Sequence, residues 1–212
     1  WVNVSYAGFV GSVTAMNERG ISLGEMGGRG EGRWDGKPMA QLVREVMEQA
    51  DSLEEAVRLM RESPRTCEYY YVVASGRERR AVGIAATPDS FEVVEGGQYH
   101  PLLPHPVPDA VILSAGDRYE TLVARVMQQY GRIDARSAWR LMDRPVAMTS
   151  NIHCALFAPE TLDLWVAHAN SRDVAAHVPP VHFNLRELLD QAHPAPVAAA
   201  GGGETPTALE AR

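Results

Sequence analysis

The chain has two cysteines, and a thiolate is an intrinsically strong nucleophile. A catalytic thiol needs a neighbouring base or a helix N-terminus, and the sequence around Cys67 supplies neither. Cys154 directly follows His153, but successive residues of a strand point to opposite faces, so these two side chains do not easily form a dyad. We therefore interpret Cys67 as a small buried residue. A cysteine hydrolase built on either thiol is a minor alternative.

Two further histidines lie in a proline-rich segment. His100 and His105 fall within residues 96–108, where four prolines predict an extended loop. No carboxylate or cysteine stands at zinc-ligand spacing from them. The sequence therefore predicts neither a metal site nor a cofactor.

Composition narrows the classes of partner. The formal net charge is −7 and no basic stripe is present, so a nucleic acid is not an expected partner. No apolar run is long enough to span a membrane. Two cysteines cannot make a disulfide framework. The apolar fraction of 45% is that of an ordinary globular domain, and the cellular compartment stays open.

The segment from Gly8 to Gly24 predicts a β-hairpin with small residues on one face. Asn17 to Gly20 interrupts its apolar run, and Gly20 can adopt the positive φ that a tight reversal needs. Asn17 is interpreted first as a turn residue and second as a site residue. The glycines at 8, 11, 24, 27 and 28 either leave room for a ligand or relieve crowding between two packed sheets.

This hairpin, Gly-Phe-Val-Gly-Ser-Val-Thr-Ala-Met-Asn-Glu-Arg-Gly-Ile-Ser, resembles the corresponding hairpin of the acyl-coenzyme A:6-aminopenicillanic acid acyltransferase family, also classed as peptidase family C45. The stretch from Ser150 to Ala167 resembles the last hairpin of the same family. More distantly, the chain is similar to choloylglycine hydrolases and penicillin V acylases, which are N-terminal nucleophile hydrolases. The two matches bracket the chain from about Gly8 to about Ala169.

The resemblance implies an activity. In this family, autoproteolysis exposes an N-terminal cysteine whose thiolate attacks an amide or thioester carbonyl, with its own α-amino group as the base. Trp1 has no nucleophilic atom, and the family's cysteine lies upstream of the matching hairpin. We therefore expect this chain to be a truncated part of an acyltransferase or amide hydrolase, inactive alone. Its expected partners are a small acyl amide or thioester and the upstream segment of the same polypeptide.

The resemblance also points to site residues. An oxyanion asparagine of the bile-salt branch stands ten residues beyond the motif's asparagine, and Gly27 occupies that position here. A second site asparagine of that branch corresponds to Ala115 or its neighbours. Backbone N–H groups near Gly27 and Gly28 are then the possible donors. The candidate substrate or oxyanion positions are Asn17, Gly27, Gly28, Asn151 and His153.

Asn151 and His153 are expected to share one face of a strand, either as site residues or as a cross-strand polar pair. The missing nucleophile and the missing site asparagines favour an alternative function, a non-catalytic binding or interaction module with the same fold.

The remaining elements complete an α+β fold, a four-layer αββα sandwich of two antiparallel sheets between helical layers, as the resemblance also implies. We expect one N-terminally truncated domain over residues 1–192 and a disordered low-complexity tail over 193–212. Unpaired sheet edges make a homo-oligomer possible. Strands are predicted at 1–6, 68–74, 81–86, 91–95, 110–114, 147–157 and 162–169, and helices begin at Pro38, Leu53, Asp117 and Asp134, with a short one around Leu185 to Leu189.

Overall fold

A computed structural model describes residues 1–30 and 33–192 of the chain. The strands are β1 Val2–Asn3, β2 Thr14–Met16, β3 Ile21–Gly27, β4 Tyr69–Ser75, β5 Arg80–Ala86, β6 Phe91–Glu95, β7 His153–Ala158, β8 Asp163–His168 and β9 Val181–Asn184. The α-helices are α1 Met39–Gln49, α2 Leu53–Glu62, α3 Asp117–Gln129, α4 Ala135–Leu141 and α5 Leu185–Ala192, and a 3₁₀ turn covers Ala175–His177.

The first sheet has six antiparallel strands in the order β1-β2-β3-β4-β5-β6. Alternate residues of these strands, such as Leu23, Val73 and Val82, share one face of the sheet and are buried against α1 and α2. The helices present apolar residues at helical spacing, for example Leu42 and Val46 on α1. This layer is the largest core of the described chain.

The second sheet has three antiparallel strands in the order β7-β8-β9. Leu164 on its inner face packs with Met16 of the first sheet, which closes a core between the two sheets. Its outer face packs against Trp139 of α4 through Cys154 and Ala167. Helices therefore cover the outer face of each sheet, and the four-layer α+β sandwich predicted from the sequence is confirmed.

Local turn and cap chemistry also agrees with the sequence. Gly20 has a φ of 83°, and its N–H donates to the Asn17 carbonyl at 3.1 Å, as the predicted reversal requires. Ser52 caps α2 by accepting from the Glu55 N–H at 3.2 Å. Asp134 caps α4 by accepting from the Ser137 N–H at 2.7 Å. Each cap satisfies a donor that a helix start leaves free.

Three predicted elements are wrong in extent or in kind, and one strand was missed. Residues 110–114 have no strand partner, apart from an isolated bridge between Val107 and Ala110. Instead of pairing in a sheet, Val107, Ala110 and Ile112 pack against α3. The first strand is only two residues long, and β7 begins at residue 153 because a turn precedes it. Strand β9 was not predicted, since its polar alternate residues resemble a loop.

The predicted tail at 193–212 lies outside the described residues. Within the described ranges, none of the helices is both long and apolar enough to cross a bilayer.

Candidate functional site

The end of β3 forms one wall of a cavity of about 480 Å³, which we call the β3 cavity. Residues 24–27 of β3 and Val72 of β4 make this wall, and the segment leading into α3 contributes Leu113 and Ser114. Arg118 and Leu122 of α3 and several residues of 142–151 complete the lining. The cavity therefore lies where the first sheet meets α3 and the turn before β7. Its volume is within the range of small-molecule sites.

The cavity reaches an open edge of β3. Strand β2 begins at Thr14, which pairs with Gly24, and no strand residue of the described chain continues this pairing beside Glu25 to Gly27. Gly28 donates its N–H to the Glu68 carbonyl on the β4 side at 3.1 Å. Backbone groups of successive residues in an antiparallel strand point to opposite sides. The N–H of Gly27 therefore points away from β4, toward the side of β3 on which β2 no longer pairs.

The two predicted glycines, Gly27 and Gly28, therefore differ in whether their N–H groups are free for a ligand. The N–H of Gly28 is already used by Glu68, and a Cβ at this position would lie 2.7 Å from the Glu68 carbonyl oxygen. A Cβ at Gly27 would meet only the Tyr69 Cε1 atom, at 3.9 Å. Of the two, Gly27 is the one whose N–H is directed to the open edge.

Asn17 lies at the opposite end of β3 and is fully buried. Its Nδ2 donates to the carbonyls of Met47 at 3.3 Å and Ala50 at 2.8 Å. Its Oδ1 accepts from the N–H groups of Ile21 at 2.9 Å and Arg19 at 3.1 Å. These four bonds join the β2–β3 reversal to the end of α1 and leave the amide little capacity for a ligand.

Asn151 lines the β3 cavity, but its amide holds two protein segments together. Its Oδ1 accepts from the N–H of Ala176 at 2.9 Å, and its Nδ2 donates to the His153 carbonyl at 2.8 Å. Because β7 begins at His153, Asn151 belongs to the preceding turn. The prediction that Asn151 and His153 share a strand face is therefore wrong.

The His153 ring is half-buried at the start of β7. It packs edge-on against Tyr6, with 5.2 Å between ring centroids, and lies 6.4 Å from the ring of His168. Burial, together with the nearby His168, lowers the pKa of His153. A neutral imidazole is therefore favoured here, and His153 is not among the residues that line the β3 cavity.

Neither cysteine lines the β3 cavity. Cys154 is buried on the outer face of β7 beside Trp139, opposite to the His153 face, as strand alternation predicts. Burial raises the pKa of its thiol to about 11, so the nucleophilic thiolate is scarce at neutral pH. Cys67 lies before β4 with its Sγ 3.8 Å from the Gly30 carbonyl. Within residues 1–30 and 33–192, no three His, Cys, Asp or Glu side chains form a group that could hold a metal ion.

Sequence reasoning missed three cavity residues with polar side chains, Ser114, Arg118 and Glu25. The Arg118 Nη2 lies 3.4 Å from the Ser114 Oγ. Glu25 is half-buried, its Oε2 has no hydrogen-bond partner in the described structure, and burial raises the pKa of its carboxyl. An ionisable residue within an otherwise apolar strand was the signal for Glu25. The sequence gave no such signal for Arg118, because the residues that line the cavity with it come from four separate segments of the chain.

Comparisons with known proteins agree with the predicted resemblance. Residues 2–100 match the family described as acyl-coenzyme A:6-aminopenicillanic acid acyl-transferase. An uncharacterized protein of Archaeoglobus fulgidus is 26% identical over 228 aligned positions, which cover 84% of this chain and 37% of that protein. The chain therefore spans little more than a third of the length of this relative.

Two crystal structures of conjugated bile acid hydrolase from Clostridium perfringens, one of a mutant and one of a variant, share the fold. Each superposes with a TM-score of 0.56 and covers 87% of this chain and 76% of the crystal chain. The sequence identities are 9% and 11%, so this likeness concerns the fold alone. Residues 2–100 are therefore similar to the acyl-coenzyme A:6-aminopenicillanic acid acyltransferase family, and the described chain has the architecture of the N-terminal nucleophile hydrolase fold.

Proposed function

We propose that this chain is the scaffold and substrate-binding part of an acyltransferase or amide hydrolase that acts on a non-peptide carbon–nitrogen amide or on a thioester. The observation that carries this proposal is the β3 cavity, which combines a mostly apolar lining with the open backbone edge at Gly27. An apolar cavity suits an acyl group. A backbone N–H at the open edge of β3, in the cavity wall, suits the oxygen of the acyl carbonyl.

The nucleophile in this proposal is an N-terminal cysteine, exposed by autoproteolysis of a segment upstream of this chain. Two observations support it: Cys154 is buried away from the cavity, and Cys67 is absent from the cavity lining. The relative from Archaeoglobus fulgidus is also far longer than the region it shares with this chain. The segment carrying the nucleophile would have to approach the open edge of β3.

The reaction then proceeds through an acyl-enzyme. The thiolate sulfur bonds to the carbonyl carbon, and the carbonyl oxygen takes the negative charge that the N–H of Gly27 stabilises. The carbon–nitrogen or carbon–sulfur bond breaks, and the leaving amine or thiol takes a proton from the α-ammonium group of the cysteine. Water or an acceptor amine next attacks the thioester, so the same scaffold serves hydrolysis and acyl transfer.

The test uses the protein expressed from its complete reading frame. We expect its N-terminal residue after processing to be cysteine, by intact-mass and N-terminal analysis. We expect it to cleave an acyl p-nitroanilide or the matching acyl thioester, and iodoacetamide to abolish turnover. A protein without turnover, or with turnover insensitive to alkylation, would favour the non-catalytic or unrelated alternatives.

Gly27 offers a matched pair of variants in that protein. Gly27→Pro removes the N–H, and we expect it to lower kcat by about 10²- to 10³-fold, the usual effect of losing one oxyanion donor. Gly27→Ala keeps the N–H, and its Cβ would be 3.9 Å from Tyr69, so near-normal kcat is expected. Cooperative melting of both variants confirms folding. Equal activity of the two would exclude Gly27 as a donor.

A further inference from the structure

We infer that His153 and His168 together bind one divalent transition-metal ion, such as Zn²⁺ or Ni²⁺, on the inner face of the second sheet. The two residues are direct cross-strand partners at the end of the β7–β8 ladder. The inference does not depend on the proposed function, because neither residue lines the β3 cavity. Within the described residues no third His, Cys, Asp or Glu joins them, so water fills the other positions around the ion.

The strand register brings the two imidazoles together. The N–H of Ala169 donates to the Ile152 carbonyl at 2.7 Å, so residues 152 and 169 form a hydrogen-bonded pair. Such pairs alternate along an antiparallel ladder with non-hydrogen-bonded pairs, in which the side chains are closer. His153 and His168 are the next pair and therefore belong to the closer kind. The sequence gives no sign of this site, because a hairpin separates the two residues.

The distance between the rings suits a shared ion. Zinc binds a histidine nitrogen at about 2.0–2.1 Å, and that nitrogen lies about 1.1 Å from its ring centre, so two imidazoles on one ion have centroids about 5–6.5 Å apart. The centroids of His153 and His168 are 6.4 Å apart, at the upper end of this range. His168 is exposed, so its ring can change rotamer to direct a nitrogen at the ion.

The ring nitrogens of this pair are available, unlike those of the other histidines. Within residues 1–30 and 33–192, neither ring makes a hydrogen bond or an ion pair, and no carboxylate oxygen lies within 4.0 Å of a ring nitrogen. Each of the other four described histidines has such a contact: His100 with Glu92, His105 with Glu120, His177 with the backbone of Arg144, and His182 with Asp163.

A hydroxyl beside the pair suits a water molecule on the ion. Ser5 and His168 both line a cavity of about 260 Å³ between the β1 segment and the second sheet. The Ser5 Oγ is buried and has no hydrogen-bond partner in the described chain. A hydroxyl that bonds to a metal-bound water orients this ligand, and the bond satisfies the buried oxygen.

The donor set selects the class of ion. Imidazole nitrogens suit Zn²⁺, Ni²⁺ and Cu²⁺, whereas Mg²⁺ and Ca²⁺ prefer several oxygen ligands, which this pair does not supply. An ion held by one residue of β7 and one of β8 requires the folded hairpin. Binding therefore stabilises the folded chain over the unfolded one.

The test is calorimetric titration of the 212-residue chain, without a histidine tag, with ZnCl₂, NiCl₂ and MgCl₂. We expect one site for Zn²⁺ and for Ni²⁺ and no binding of Mg²⁺. In proton NMR spectra, the ring signals of His153 and His168 should shift together as Zn²⁺ is added. A single ion bound by both rings requires this common response.

His168→Gln should weaken Zn²⁺ binding by about 10-fold or more, because the remaining imidazole loses the gain from joining two ligands on one scaffold. His168 is exposed, so this variant is expected to fold, and cooperative melting checks it. His153→Gln should have the same effect in folded protein. His182→Gln is the matched control, since His182 is an exposed histidine of β9 on the outer face of the same sheet, and it should bind Zn²⁺ as the unmodified chain does.

Unchanged Zn²⁺ binding in folded His168→Gln would overturn the inference, as would the absence of Zn²⁺ binding to the unmodified chain. A shift of only one of the two rings would exclude a shared ion. Weaker binding in His182→Gln would place the ion on the outer face and would also overturn the inference.

Discussion

Replacing Asn17 tests whether this residue is a structural connector or a substrate ligand. In the structure its amide makes four hydrogen bonds to backbone groups of the β2–β3 reversal and the end of α1. Asn17→Ala removes the side-chain hydrogen-bond partner of these backbone groups. We therefore expect a large loss of stability and, in the protein that remains folded, unchanged binding at the β3 cavity.

The magnitude follows from the two shortest bonds. The N–H of Ile21 loses an acceptor at 2.9 Å, and the carbonyl of Ala50 loses a donor at 2.8 Å, both in buried surroundings. Each buried group left unsatisfied costs about 1–3 kcal/mol, so Asn17→Ala should lower the free energy of unfolding by about 2–6 kcal/mol. This loss is a large part of the about 5–15 kcal/mol that a domain has in total.

Asn17→Asp separates the two halves of the amide. The Oδ1 atom still accepts from Ile21, but a carboxylate oxygen now faces the carbonyls of Met47 and Ala50, where no donor lies. The folded-state pKa of this aspartate is therefore raised above that of the unfolded chain. Its contribution to stability is intact below the unfolded pKa and is lost as pH rises through the folded pKa. The stability gap to the unmodified chain should narrow as pH falls from 7 toward 4, where the protonated acid can donate to Ala50.

Urea unfolding followed by tryptophan fluorescence, at several pH values between 4 and 7.5, measures these differences. Asn170→Ala is the matched control, because Asn170 is exposed and its Oδ1 accepts two backbone bonds at 2.8 Å. We expect less than about 1 kcal/mol for it, as for most surface substitutions. A loss below about 1 kcal/mol for Asn17→Ala, or a pH-independent gap for Asn17→Asp, would refute the reasoning.

Two further predictions concern buried ionisable groups. Glu25→Gln should stabilise the chain at pH 7, with a gain that shrinks toward pH 4. Burial raises the folded-state pKa of Glu25, so its contribution to the free energy of unfolding is full below the unfolded-state pKa and is lost as pH rises through the folded-state pKa. Equal gains in stability at pH 7 and pH 4, measured by urea unfolding, would contradict this prediction. Cys154 should react with iodoacetamide far more slowly than Cys67 by peptide mass analysis, because at a pKa of about 11 only about one thiol in a thousand is ionised at pH 8. Fast native-state labelling of Cys154 that matches labelling in urea would disprove its burial.

Much of the fold was predictable because local and long-range signals agreed. The apolar spacing of α1 and α2 matches the residues buried against the first sheet, and Ser52 and Asp134 cap helices at the starts predicted near Leu53 and Asp134. The meander from β4 to β6 follows from alternating residues separated by short turns. These elements satisfy their backbone groups with near neighbours in sequence, so sequence patterns suffice to find them.

The errors arose where distant contacts decide the structure. Residues 110–114 have the composition of a strand, yet Ile112 packs on α3. These residues lie over a face of the first sheet, where the strands are already paired with one another and cannot accept a further strand. Strand β9 reads as polar, but β8 supplies its pairing and α5 follows directly. Pairing partners lie outside the window of any local pattern, so propensity alone could not have decided these segments.

The candidate site shows the same division between local and distant information. Counting from the hairpin motif selected Gly27, and the structure gives that position a physical meaning, since the alternation of β3 directs its N–H toward an open edge beside a cavity. The two asparagines were chosen for their side-chain chemistry, but their amides are engaged by backbone groups from α1 and from the 3₁₀ turn. A side chain that satisfies buried backbone groups cannot turn to a ligand without leaving them unpaired. A backbone donor at a strand edge carries no such cost, so the edge at Gly27 is the better position to test first.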